Sequence, residues 1–257
     1  MKLKALFTLF LSLALWQAQA QIATYDKIET SKGPLVIQPI QHASMVLTWD
    51  NKTIYVDPTG GAKAYAGTKA PDLVLITDIH GDHLDVATLD SIKLDSAVLV
   101  VPQAVADKLP SKYKAQVVVM KNGQNSTQLN IPIQAVAMYN LPETADAKHP
   151  KGRGNGYILQ LGDKRVYIAG DTEDIPEMRA LQHIDVAFVP MNLPYTMDIN
   201  QAASGVLAFK PKVVYPYHYR GQNGFSDVEA FKKAVESKNK NIAVRLLTWY
   251  PDKATKQ

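Results

Sequence analysis

Apolar residues gather in short, dense runs along this chain. Leu73-Val74-Leu75-Ile76 is apolar at every position, the pattern of a strand covered on both faces. Ala97–Val101, Val186–Val189 and Val213–Tyr215 read as further strands. Before them, Leu35–Ile40 predicts a first strand, and Ser44–Trp49 with Thr53–Val56 a hairpin turned at Asp50-Asn51-Lys52. Val117–Met120, Gln128–Ile131 and Ile133–Met138 continue the strands, with Asn122-Gly123 as a turn. Tyr157–Leu161 and Arg165–Ala169 predict a second hairpin around Gly162-Asp163, and Ile242–Trp249 a last strand. Helices are expected over Val86–Ser91, Gln103–Lys108, Pro176–Leu181, Asp198–Phe209 and Asp227–Ser237, the last capped by Ser226. A strand-rich block followed by αβ units occurs twice, which predicts one α/β domain with two similar halves.

The first twenty residues stand outside this pattern. Lys2 and Lys4 precede the apolar run Ala5–Trp16, and Ala18-Gln19-Ala20 offers a small-x-small cleavage site. That is the form of a secretory signal peptide, and a run of this length is too short to span a bilayer as a helix. The expected mature protein is Gln21–Gln257, exported to the periplasm or medium, with no stable membrane insertion. Losing Lys2 and Lys4 takes the formal charge from +4 to +2. So small and dispersed a charge predicts no nucleic-acid partner. With no cysteine, disulfides and thiolate metal sites are excluded, so any metal is held by histidine and carboxylate.

The candidate chemistry follows the first buried run. Asp78, His80, Asp82 and His83 lie within six residues of its loop, with Gly81 among them to permit a tight turn. Neighbours such as Asp82 and His83 point apart, so alternating ligands on one loop suit two adjacent metals. His149 lies in the proline- and glycine-rich H-P-K-G-R-G-N-G, Asp171 closes I-A-G-D-T, and His218 follows a strand in Y-P-Y-H-Y. All lie where strands run out, as in a composite site on a sheet rim. His183, in L-Q-H-I-D, has no such neighbours and is expected at the surface.

These motifs together resemble the metallo-β-lactamase superfamily, in particular the branch of L-ascorbate-6-phosphate lactonase. The similarity rests on His42-Ala43-Ser44, Val56-Asp57-Pro58, the 78–83 loop, Gly170-Asp171-Thr172, P-M-N-L-P-Y-T-M-D at 190–198 and Y-P-Y-H-Y at 215–219. It implies a four-layer αβ/βα sandwich and two divalent ions, zinc first, with manganese or iron as alternatives. One ion would lie on Asp78, His80 and His149, the other on Asp82, His83 and His218, with Asp171 bridging them. The resemblance places Asp57 behind a ligand histidine and His42 at the pocket rim. Asn192 and Tyr195, after a strand, are candidate lining.

The chain departs from the family loop H-x-H-x-D-H at its first position, Asp78. Either that carboxylate ligates as a hard donor, the favoured reading, or it faces away and the enzyme runs on one metal. A metal-bound hydroxide would attack a lactone or other ester of a small molecule, with Asp82 or Asp171 passing the proton on. A phosphodiesterase on the same centre and a metal-binding scaffold without turnover are the competing readings.

Overall fold

The structure, a computed structural model, describes residues 24–144 and 146–250. The expected signal peptide lies outside the described residues. Two seven-stranded sheets form the framework. The first runs in chain order through β1 (Asp26–Thr30), β2 (Gly33–Gln41), β3 (Ser44–Trp49), β4 (Lys52–Val56), β5 (Leu73–Leu75), β6 (Val98–Val101) and β7 (Val117–Val119). The second contains β8 (Asn125–Gln128), β9 (Ile131–Met138), β10 (Gly154–Leu161), β11 (Lys164–Ile168), β12 (Val186–Pro190), β13 (Val213–Tyr217) and the short β16 (Ala243–Val244). A minor hairpin, β14 (Arg220–Gly221) with β15 (Gly224–Phe225), stands apart.

In each sheet three antiparallel pairings are followed by three parallel ones. The two halves predicted from the strand pattern are therefore real. Between the sheets, Leu35, Ile37, Met45 and Leu47 pack with Ile133, Leu159 and Phe188 in one buried core. Outside the first sheet, Val74 and Leu99 are covered by Leu89 of α1 (Val86–Ser91) and Val105 of α2 (Gln103–Ala106). Outside the second, Ala187 and Val214 are covered by Met178 of α3 (Pro176–Arg179), Val206 of α4 (Ile199–Phe209) and Phe231 of α5 (Val228–Glu236). The result is the expected four-layer αβ/βα sandwich. Each fully buried Leu, Ile or Phe contributes about 1.5–3 kcal/mol, so the paired sheets hold the rim loops on a stiff base.

Local chemistry explains most boundaries. Asp50 and Asn51 take φ of 47° and 61°, closing β3 onto β4 as a two-residue hairpin. The expected strand Gln128–Ile131 is instead a second such hairpin, because Leu129 and Asn130 take φ of 51° and 63°. Asp227, not Ser226, caps α5 by accepting from the Ala230 amide; Ser226 donates to the Met191 carbonyl. The last strand shrinks to two residues, and β1 went unpredicted in a polar lead. Strand β10 begins three residues early. There Gly154 lies so close to the site loop that a Cβ would stand 2.8 Å from the Thr77 carbonyl oxygen. The Asn155 amide donates to that same oxygen at 3.0 Å, joining the second sheet to the first just beneath the ligand loop.

Candidate metal centre

The ends of β4, β5, β11, β12 and β13 and the loop after β9 meet on one rim. Asp57 follows β4 in a left-handed conformation (φ 43°) and is fully buried. It accepts from the Thr77 amide at 2.7 Å, the Thr77 hydroxyl at 2.6 Å and Nδ1 of His83 at 2.8 Å. With Nδ1 donating, the Nε2 lone pair of His83 is left facing the rim. Asn140 treats His149 in the same way: its Oδ1 accepts from the His149 amide at 2.9 Å and from Nδ1 at 3.0 Å. The side-chain amide of Asn192 lies 3.4 Å from Nδ1 of His218.

The three Nε2 atoms converge on Asp171. His83 and His149 approach its Oδ2 at 3.2 and 3.1 Å, and His218 approaches its Oδ1 at 3.5 Å. Asp82 reaches His218 Nε2 at 3.3 Å from a partly exposed position. Asp171 Oδ1 and all three Nε2 atoms are buried yet lack a hydrogen-bond partner. Orphaned buried polar atoms are costly; four pointing into one space fit a cation, and histidine with carboxylate is a suitable donor set for one. His83, Asp171 and His218 form one compact candidate group, Asp78, His80 and His149 a second, and His42, Asp82 and His218 a third.

Electrostatics agrees with this. Burial pulls the pKa of His83 down, but the charges of Asp171 and Asp57 outweigh it and hold it well above the ordinary histidine value. Burial would raise Asp171, yet the positive charge of His83 and His218 keeps it well below the carboxylate range. Asp82 is likewise lowered, against its own desolvation, by His218 and His83. His42 is pushed down to about 4, chiefly by burial and then by His218. Its ring lies edge-on 5.5 Å from that of His218 and 5.3 Å from that of Tyr250, which puts it beside a ligand histidine.

Asp78 is the departure from pattern. It is fully buried, and Arg153 grips both its oxygens, Nε to Oδ1 at 3.0 Å and Nη2 to Oδ2 at 2.9 Å. Arg153 was missed in the sequence, although a buried carboxylate after an apolar strand calls for a cationic partner. Asn140 and Thr77 were missed too, since their roles appear only once the rim is assembled. His183 is exposed and apart from the rim, as expected.

A cleft of about 410 Å³ opens over these groups, lined by His80, Asp82, Lys148, Asp171, Asn192 and Tyr195 among others. A larger depression, about 580 Å³, lies on the edge of the second sheet near Ser126 and Arg165, away from every one of these ligands. Chemistry selects the smaller cleft.

A profile described as a β-lactamase superfamily domain matches residues 36–218. The chain belongs to the metallo-β-lactamase superfamily. Among its superfamily relatives, a metal-dependent hydrolase of Pyrococcus abyssi is 32% identical over 206 residues, covering 76% of this chain and 90% of its own. One from Pyrococcus horikoshii has the same identity and coverage. A crystal structure from Parabacteroides distasonis, described as a metal-dependent hydrolase, is 40% identical with a TM-score of 0.78, covering 88% of this chain and 99% of that one. Igni18, a metallo hydrolase of Ignicoccus hospitalis, is 27% identical with a TM-score of 0.69, covering 83% and 94%. This superfamily member is accordingly a metal-dependent hydrolase whose His and Asp groups are able to bind metal.

Proposed function

We propose that this hydrolase opens a lactone or another ester of a small molecule, and that it works as an exported protein. The observation carrying the hydrolytic reading is the convergence of four unpartnered buried donor atoms from His83, His149, His218 and Asp171 at the floor of the cleft. His83, Asp171 and His218, with Asp82 beside them, would hold the ion, and this set of two imidazoles and two carboxylates suits zinc first, with manganese or iron as alternatives. When bound, such an ion ionises water near neutral pH and polarises the electrophile's oxygen.

The chain's own groups supply the rest. Asp57 and Asn140 fix the tautomer and direction of two imidazoles, so that each presents Nε2 to the cleft. Asp171 is buried among the three histidines, whereas Asp82 is partly exposed, which makes Asp82 the better proton carrier. Its side chain is 42% exposed at the cleft and it is held ionised, placed to take a proton from the attacking water and return it to the leaving group. Lys148 sits over the Tyr195 ring, 5.7 Å from its centroid, with Asp146 also on the wall. A wall of mixed sign suits a neutral or singly charged substrate better than a polyanion.

The test is turnover of the mature protein on γ- and δ-lactones, p-nitrophenyl acetate and bis(p-nitrophenyl) phosphate, before and after chelation and zinc return. Chelator-sensitive lactone or ester cleavage is expected. Cleavage of the phosphodiester alone would replace the ester reading, and metal-bound protein with no turnover would leave a binding scaffold. Fractionation of the native host for the processed chain tests export.

A further inference from the structure

Resting on that metal-dependent reading, we propose that the centre carries one ion rather than two, the place of the second being taken by the ion pair of Asp78 with Arg153.

The carboxylates of the two candidate ligand groups differ in whether their atoms are already spoken for. In neutral imidazole one nitrogen donates and the other accepts. Nδ1 of His80 lies 2.9 Å from Asp78 Oδ2, and its Nε2 lies 3.4 Å from Arg153 Nη2. Nδ1–H goes to the carboxylate, which leaves Nε2 facing the guanidinium. Each oxygen of Asp78 in turn takes an N–H of Arg153, whose Nη2 donates to the Lys148 carbonyl as well, at 2.6 Å. Asp78, His80 and Arg153 thus close on one another, with both oxygens of the buried Asp78 carboxylate engaged. At the rim, the buried atoms without a hydrogen-bond partner are on His83, His149, His218 and Asp171, where Asp171 lies 3.1–3.5 Å from the three nitrogens.

Freeing Asp78 for an ion would strand the guanidinium, whose side chain is only 19% exposed and which cannot shed its charge. A dication lodged beside it would meet a fixed positive charge at short range. With Asp78 neutralised, Asp57, Asp82 and Asp171 remain as the carboxylates around the histidines. Against those three negative charges one dication leaves a net charge of −1 and two leave +1, so charge balance does not call for a second ion. The aspartate that replaces the family's first histidine therefore arrives with its own counter-charge, and the arginine keeps that flank of the cleft positive without a metal.

The deciding measurement is the number of ions per chain. Mature protein stripped by chelator is titrated by calorimetry with Zn²⁺ and, separately, Mn²⁺, and metal content after desalting is read by plasma emission. About one ion per chain is expected for the wild type, rising towards about two in the double variant Asp78→His/Arg153→Ala, which restores an imidazole and removes the guanidinium. Two ions on the wild type overturn the proposal. So does a double variant that keeps the wild-type circular dichroism and still takes one. The wild-type count needs no variant, so a misfolded double variant does not shield the proposal. A wild type that takes no ion sinks the metal-dependent reading itself, an outcome distinct from a count of two.

Discussion

Asp57 Oδ2 stands 2.8 Å from Nδ1 of His83, 26 positions further along the chain, and both side chains are fully buried. A carboxylate so placed fixes the tautomer of a ligand and strengthens it as a donor. Asp57→Ala is expected to weaken zinc binding by about 10–100-fold, measured by competition with a chromophoric chelator. Asp57→Asn, which keeps an acceptor for Nδ1, should lose less. An unchanged affinity in the alanine variant would remove Asp57 from the centre.

Proton and ion compete for His83. Its pKa in the metal-free fold is raised by Asp171 and Asp57 against the pull of burial. The sign follows directly. The charged imidazolium stabilises the metal-free fold fully below the ordinary histidine value of about 6.5, and that contribution is lost as pH rises through the higher native value. Zinc must displace this proton, so affinity should climb by up to about tenfold per pH unit in that range. Calorimetry in buffers of different ionisation enthalpy should show a proton released. Heats independent of buffer would contradict it.

Two histidines should behave oppositely. His83→Ala is expected to strip metal from the protein and reduce turnover by about 10²-fold or more. His183 is exposed in a left-handed turn (φ 56°), which asparagine tolerates. His183→Asn should therefore shift stability by no more than about 0.5 kcal/mol and leave metal content and turnover alone. Equal effects in an emission and activity assay would refute the placement of both.

The ends of the described chain are tied by Asp26, which accepts from Tyr215 Oη at 2.7 Å and from Arg245 Nη1 at 3.0 Å. Burial alone would raise the Asp26 pKa; the hydrogen bonds from Tyr215 and Arg245 win and lower it. A lowered carboxylate stabilises the fold above its unfolded value of about 3.9 and ceases to do so as pH falls through the native value. Asp26→Asn should therefore cost about 1 kcal/mol at pH 7, seen in urea melts, and progressively less as the pH falls through the lowered native value. A penalty that does not shrink with falling pH would point to lost packing instead.

What was legible in the sequence was what local patterning encodes. Strands buried on both faces announce themselves as apolar runs, and β5 and β12 sit where Leu73–Ile76 and Val186–Val189 predicted. Asp50-Asn51 is a turn by its own chemistry, whereas Leu129-Asn130 is one only because Gln128 must pair with Ile131. Strand β1 could not be read, since an edge strand with one buried residue carries little alternation. At the centre, the donors were visible as residue types at strand ends. Their keepers were not: Asn140 meets His149, nine positions on, only when the loop between them closes, Arg153 acts across 75 positions on Asp78, and an arginine among lysines and glycines has no local mark. Asp78 itself was the clue, an acid where burial demands a partner.

The donors are shared across the seam between the sheets. Asp82 and His83 follow β5 of the first sheet, while Asp171 and His218 follow β11 and β13 of the second. An ion bound there is a staple through both halves, and by mass action it favours the state in which they are docked. Chelation would slacken the seam before it touched the interior of either sheet, so the temperature at which the halves part becomes a gauge of occupancy.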